Sequence, residues 1–351
     1  MKYIPETTNH KKIWQTIMTL VVLFLAVYLI LPQITAIENS WHVLANMLLW
    51  AVGLAFLAQA LSYLGSGYLL KKTLEITHQV VSLIKCTLIV LGAASISLVA
   101  GGTVGGSAAI FQWTSNEKHS VGSATLASIL PSLFNTLVLV VLSIFGLVHL
   151  ILIHDLASSQ LIGFSITLIL LGSVIGISVL ASHYRNRTFT AIIWVAKHIA
   201  RLRRKPFDSN STQHEIENIF LAWDELWGGE WHRLVLGAFL NVAFDMLTLY
   251  LLFIAAGDRI SFGMLFSGYA LPLLLGRIAF ILPGGVGVVE TSMVALYISL
   301  GISKENAVVV VEVYRLISFW IPTLAGFPIA AYLQRSRISN HKKPNVEEPI
   351  N

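Results

Sequence analysis

The chain has 351 residues, of which 56% are hydrophobic and only 12% charged, with a formal net charge of +5. A water-soluble globule carries about 25% charged residues, so this composition excludes a soluble enzyme or binding domain. The basic excess borders apolar runs rather than forming a separate patch, which fits the positive-inside rule and anionic headgroups and argues against a nucleic-acid partner.

Taken in order, apolar stretches over about 13–31, 43–64, 124–153, 161–181, 232–255 and 305–331 are long enough to cross the bilayer. A helix needs roughly 20 residues for about 30 Å of hydrocarbon, and lipid offers the backbone no other partner. The short alternating segments of a β-barrel are missing. The first run follows Lys2, Lys11 and Lys12 and reads as an uncleaved span, because it is long for a signal sequence and Ile34-Thr35-Ala36 is a poor cleavage site. The lone Cys86 excludes an internal disulfide and gives no support to a metal cluster.

Two further apolar segments are interrupted by glycine. Val80–Trp113 contains Gly101-Gly102-Thr103-Val104-Gly105-Gly106, and Phe262–Gly301 contains Pro283-Gly284-Gly285-Val286-Gly287. Glycine costs a helix about 1 kcal/mol per residue and proline removes a donor, so both clusters are expected to break helices. The strongly basic stretches are the N-terminus, the Lys71-Lys72 loop, 182–231 and the tail with Arg335, Arg337, Lys342 and Lys343. The segments 32–42, 154–160 and 256–261 together hold only Arg259. All basic stretches share one side only if each broken segment enters and leaves by the same face. The first would then be a re-entrant pair of half-helices opening to the cytoplasm, and the second a hairpin, re-entrant or fully spanning, opening outward.

The expected fold is therefore all-α: a polytopic transmembrane helical bundle with about six full spans and two glycine-broken re-entrant hairpins. The likeness of the two breaks points to an inverted-topology repeat. Residues 1–335 form one bundle. Within it, 182–231 is a cytoplasmic interfacial segment with a capping box at Thr212–Glu215, and 336–351 is a disordered tail. Both termini are placed in the cytoplasm, and the membrane is expected to be the bacterial cytoplasmic one.

Ionisable side chains at membrane depth cost roughly 2.5–3.5 kcal/mol each on insertion scales, so each needs a reason. Asp245, Arg277, Glu290, Glu312 and Arg315 qualify, and all fall in the C-terminal third, where a common polar cavity is expected. Arg277 and Arg315 offer forked donors for a phosphate. Glu290 and Glu312 would orient those arginines, or face an ammonium group or a coupling proton. Glu312 and Arg315, at i,i+3, can equally form a structural ion pair. Asp245 can equally bond a neighbouring helix. Gly284, Gly285 and Gly287 expose the N-terminus of a half-helix to an anion. Gly101, Gly102, Gly105 and Gly106 form the secondary candidate break. In both clusters, glycines that only permit close packing remain the alternative.

The run Leu282-Pro283-Gly284-Gly285-Val286-Gly287-Val288-Val289-Glu290, with Leu300-Gly301-Ile302 and Val313-Tyr314-Arg315-Leu316-Ile317-Ser318-Phe319-Trp320-Ile321-Pro322, resembles the membrane region of the lysylphosphatidylglycerol synthase/flippase family. The resemblance covers most of residues 10–335, and Glu290 and Arg315 match the family's recurrent polar positions. It implies handling of a lipid or lipid-linked substrate. Two departures matter: the prolines usual around the first break are missing, and no aminoacyltransferase domain follows the bundle, which argues against aminoacyl-lipid synthesis. No enzymatic signature or nucleotide loop occurs, so a non-enzymatic flippase or exporter is expected. Its partners would be membrane lipids, with an anionic or phosphate-bearing amphiphile as cargo, and it needs no cofactor. The rivals are a membrane-embedded envelope enzyme, such as a lipid-linked glycosyltransferase, and a scaffold for such an enzyme.

Overall fold

The computed structural model describes residues 41–76, 78–100, 102–115, 121–153, 231–278 and 283–341, with scattered single positions between 165 and 217. The expected spans 13–31 and 161–181, the interfacial segment 182–231, Gly101 and the end of the tail lie outside the described residues, those single positions apart. Among the described residues, a helical turn, Trp41–Ala45, precedes nine helices: α1 Leu49–Ile76, α2 Leu83–Val99, α3 Gly102–Thr114, α4 Val121–Ile153, α5 Trp231–Ala255, α6 Phe262–Ile278, α7 Val288–Ser299, α8 Lys304–Arg315 and α9 Ile321–His341. A π-helical segment, Leu316–Trp320, joins α8 to α9. No strand occurs among the described residues.

Among the described residues, four helical stretches are long and apolar enough to cross a membrane: Leu49–Ile76, Ser123–Leu152, Trp231–Ala255 and the α8–α9 unit, Lys304–Ser336. They match the expected spans near 43–64, 124–153, 232–255 and 305–331. The first runs further than expected. Lys71 and Lys72 are the last turns of α1 rather than a loop, and both pair with Glu75 on their own helix. Such i,i+3 and i,i+4 pairs let the helix continue past the apolar run.

The glycine-broken segments form two folded-back pairs, α2–α3 and α6–α7. At 17 and 13 residues, then 17 and 12, these helices rise only about 18–26 Å each, short of the ~30 Å hydrocarbon core. The first break is narrower than the glycine cluster. The chain turns between Ala100 and Gly102, where Gly102 has φ +65°. Gly105 and Gly106 lie inside α3. Their role is contact, because a Cβ on Gly105 would stand 2.6 Å from the Ala100 carbonyl and one on Gly106 would strike Ser97. The second break is as wide as its motif: Gly284, Gly285 and Gly287 all have positive φ, a region costly for residues with a Cβ.

A repeat in element order runs through the described residues. The ends of α1 and α5, and both ends of α2 and of α6, are 179 residues apart, the same separation as Ser62 and Asn241. Gly105-Gly106 and Gly284-Gly285 share that offset. The helices α1 and α5 pack antiparallel along their length, with Leu48 bonded to Ala255, Ala55 to Thr248, and Ser62 to Asn241. A Cβ on Gly65 would lie 2.7 Å from the Asn241 nitrogen and one on Gly237 2.9 Å from Leu69, so the small residues set the spacing. Related contacts recur on both sides: α2 lies on α9 through Ser95 Oγ–Thr323 O and Gly326, and α6 on α4 through Ser267 Oγ–Gly146 O. The hairpin tips meet where Leu98 and Val99 of α2 pack with Val286, Phe319 and Trp320.

Candidate functional site

Between the two hairpins lie two adjoining open lobes, of about 340 and 390 Å³, whose largely apolar walls carry several polar side chains. Ser66, Thr103, Pro131, Ser132, Asn241 and Asp245 line both. The first lobe reaches Ser97 and Ser107 of the α2–α3 hairpin. The second reaches Gly276, Arg277, Gly284 and Gly285 of the other. Gly106 of the first hairpin and Gly284 and Gly285 of the second therefore border the adjoining lobes. Pro131, inside α4, removes one backbone donor from a cavity-lining helix.

The five ionisable candidates separate into three groups. Arg277 stands on the wall of the second lobe and donates from Nη1 to Thr136 Oγ1 at 2.6 Å and to the Ser132 carbonyl at 3.4 Å. Among the described residues, no carboxylate lies within ion-pairing distance of it. Asp245 lines both lobes, and its Oδ2 accepts the hydroxyls of Tyr269 and Tyr314, each at 2.8 Å. The expected helix-to-helix bond and the expected cavity position therefore hold together. Both tyrosines are buried on other helices.

Glu290 and Arg315 form the second group and do not line the cavity. Arg315 Nε donates to Glu290 Oε1 at 2.6 Å, its Nη2 to the Gly284 carbonyl at 2.9 Å, and its guanidinium lies over the Phe319 ring. Glu290 Oε2 accepts the Gly287 N–H at 2.7 Å. Both side chains are about 95% buried. The pair bolts the Pro283–Gly287 break from both ends, with the π-helical segment carrying Phe319 into place. Glu290 thereby orients Arg315, one of the roles expected of it. Arg315 is engaged by Glu290 and the chain rather than open to a headgroup. Glu290 also caps the α7 half-helix by accepting the N–H of Gly287, the residue before its first turn, and its charge answers the helix dipole.

Glu312 is the third case. The expected i,i+3 pair with Arg315 does not form, because Arg315 reaches across to α7 instead. Glu312 is buried on α8, and its Oε2 has no hydrogen-bond partner. Sequence reasoning missed the serines of the cavity wall and the Tyr269–Asp245–Tyr314 contact. The available signal was the recurrence of serine inside otherwise apolar spans.

Long apolar helices around a cavity flanked by two pairs of half-helices define a polytopic helical membrane protein. The chain belongs to the family described as the lysylphosphatidylglycerol synthase TM region, whose family model matches residues 16–326. It is similar to the UPF0104 membrane protein PH1989 of Pyrococcus horikoshii, 29% identical over 253 residues, covering 66% of this chain and 71% of that protein. A UPF0104 membrane protein of Methanothermobacter thermautotrophicus is 25% identical over 227 residues, 62% of this chain and 66% of that one. Both relatives are archaeal, so the resemblance stated from the motifs holds at family level without indicating a bacterial source.

Proposed function

We propose that the protein handles and translocates a lipid or lipid-linked amphiphile with an anionic, phosphate-bearing headgroup across the cytoplasmic membrane. The headgroup enters the cavity while the tail stays in lipid. The observation that carries this reading is Arg277: a cation on a cavity wall, with no carboxylate beside it among the described residues. At membrane depth such a charge is costly unless an anion answers it. Guanidinium matches phosphate oxygens in charge and geometry. The open space between the hairpins also supports transport over a scaffolding role, for which a filled interior serves better. The chain binds and conducts rather than converting its cargo, and both termini face the cytoplasm.

The test is reconstitution into liposomes holding headgroup-labelled lipids, with an outer-leaflet quencher reading transbilayer movement. Anionic phospholipid or polyprenyl-phosphate probes should cross at least tenfold faster with protein than without it. Arg277→Gln should abolish that gain. Movement of no anionic lipid, or movement untouched by Arg277→Gln, refutes the proposal.

A further inference from the structure

Many hydroxyl groups of the described helices follow one rule, although Ser143 and Thr323, buried away from the cavity, have no partner. Thr73, Thr87, Ser97, Thr114, Thr136 and Thr248 each donate to the carbonyl four residues earlier, the usual way a helix satisfies a hydroxyl where water is scarce. Ser66, Thr103, Ser107 and Ser132 break the rule. Their hydroxyls make no hydrogen bond to the described chain, yet all four line the cavity, from α1, α3 and α4. Thr103 and Ser132 are exposed, and Ser66 and Ser107 are half-buried. Uncommitted hydroxyls are unfavourable in an apolar bundle unless something else bonds them. Their position is also specific, because the Ser132 carbonyl already receives Arg277. The hydroxyl lobe therefore continues directly from the cationic one.

We infer that the serine-lined lobe binds a polyhydroxylated headgroup, so that the cargo is a glycosyl- or polyol-phosphate lipid. This rests on the reading of Arg277 given above and narrows it. A phosphate alone offers acceptors and leaves the proton-accepting side of these hydroxyls unused. An ammonium offers donors alone and leaves these hydroxyls' own protons without an acceptor. A sugar or polyol hydroxyl both donates and accepts, as serine does. Phosphate at Arg277 and ring or chain hydroxyls at Ser66, Thr103, Ser107 and Ser132 satisfy both lobes with one molecule.

The experiment measures binding of three lipids to the full-length protein in nanodiscs. The probes are a polyprenyl hexosyl phosphodiester, the matched methyl phosphodiester of equal charge, and phosphatidylethanolamine. The hexosyl lipid should bind about tenfold tighter than the methyl diester, the effect of two net hydrogen bonds. The S66A/S107A/S132A variant should lose that preference while keeping its affinity for the methyl diester, and Arg277→Gln should weaken both diesters. Equal binding of the two diesters by the unaltered protein overturns the hydroxyl assignment, and Arg277-dependent binding of both would leave the anionic reading standing. Diester binding indifferent to Arg277→Gln overturns that reading itself. Tighter binding of phosphatidylethanolamine than of the hexosyl lipid also overturns the hydroxyl assignment.

Discussion

Removing the charge of Glu290 should loosen the second break and destabilise the whole bundle. In Glu290→Gln the side chain keeps its shape, but one of its two acceptor oxygens becomes an NH2 group. That group must then face either the Arg315 Nε–H or the Gly287 N–H, both of which donate to Glu290 at 2.6 and 2.7 Å. One favourable contact becomes donor against donor, and Arg315, about 95% buried, loses its counter-charge. Leaving a buried charge without its partner costs about 3–5 kcal/mol. The cation–π contact to Phe319 and the bond to the Gly284 carbonyl hold part of Arg315, which places the expected loss toward the lower end. At roughly 2–4 °C per kcal/mol, the thermal midpoint in detergent should fall by about 10 °C. The double variant E290Q/R315M removes both charges and should be more stable than the sum of the single effects by about 2 kcal/mol. Single variants within about 1 kcal/mol of the parent, or strictly additive effects, would refute the clamp.

Other expectations follow from the same geometry. Gly285→Ala should be poorly tolerated, since φ is +65° and the new methyl would stand 2.8 Å from Gly276 Cα, whereas Gly287→Ala meets open space and should lose only the backbone strain, about 1–2 kcal/mol; their thermal midpoints should differ in that order. Glu312→Leu should leave stability unchanged or raise it, because Glu312 Oε2 has no partner to lose, and a clear fall in the midpoint would show an unseen one. Asn241→Leu removes two bonds to Ser62 at the centre of the α1–α5 contact and should cost about 1 kcal/mol in a detergent-unfolding titration.

Much of the architecture was legible because lipid makes it so. Runs such as 232–255 are read directly as spans, and the Pro283–Gly287 cluster marks a break because three of its glycines take up backbone conformations costly for other residues. The first break was read too widely. Gly105 and Gly106 were selected by close approach to Ala100 and Ser97, and glycine chosen for contact looks in sequence like glycine chosen for a turn. Partner choice among the charges was also hidden. Glu312 and Arg315 are three residues apart and seem made to pair, but the fold-back of α7 brings Glu290, 25 residues away, to the same arginine. The repeat was detectable only as a likeness of composition, until the shared 179-residue offset tied it to the Ser62–Asn241 contact. The serine wall escaped notice because its members come from three separate helices and have no linear pattern.

A cryo-electron microscopy map of the purified protein in lipid nanodiscs reaches the central claim most directly. Headgroup density in the second lobe should place a phosphate within about 4 Å of the Arg277 guanidinium, the reach of a charge-assisted contact, with an acyl or prenyl tail leaving between helices. A lobe closed by side chains, or one holding only hydrocarbon against Arg277, would contradict the account.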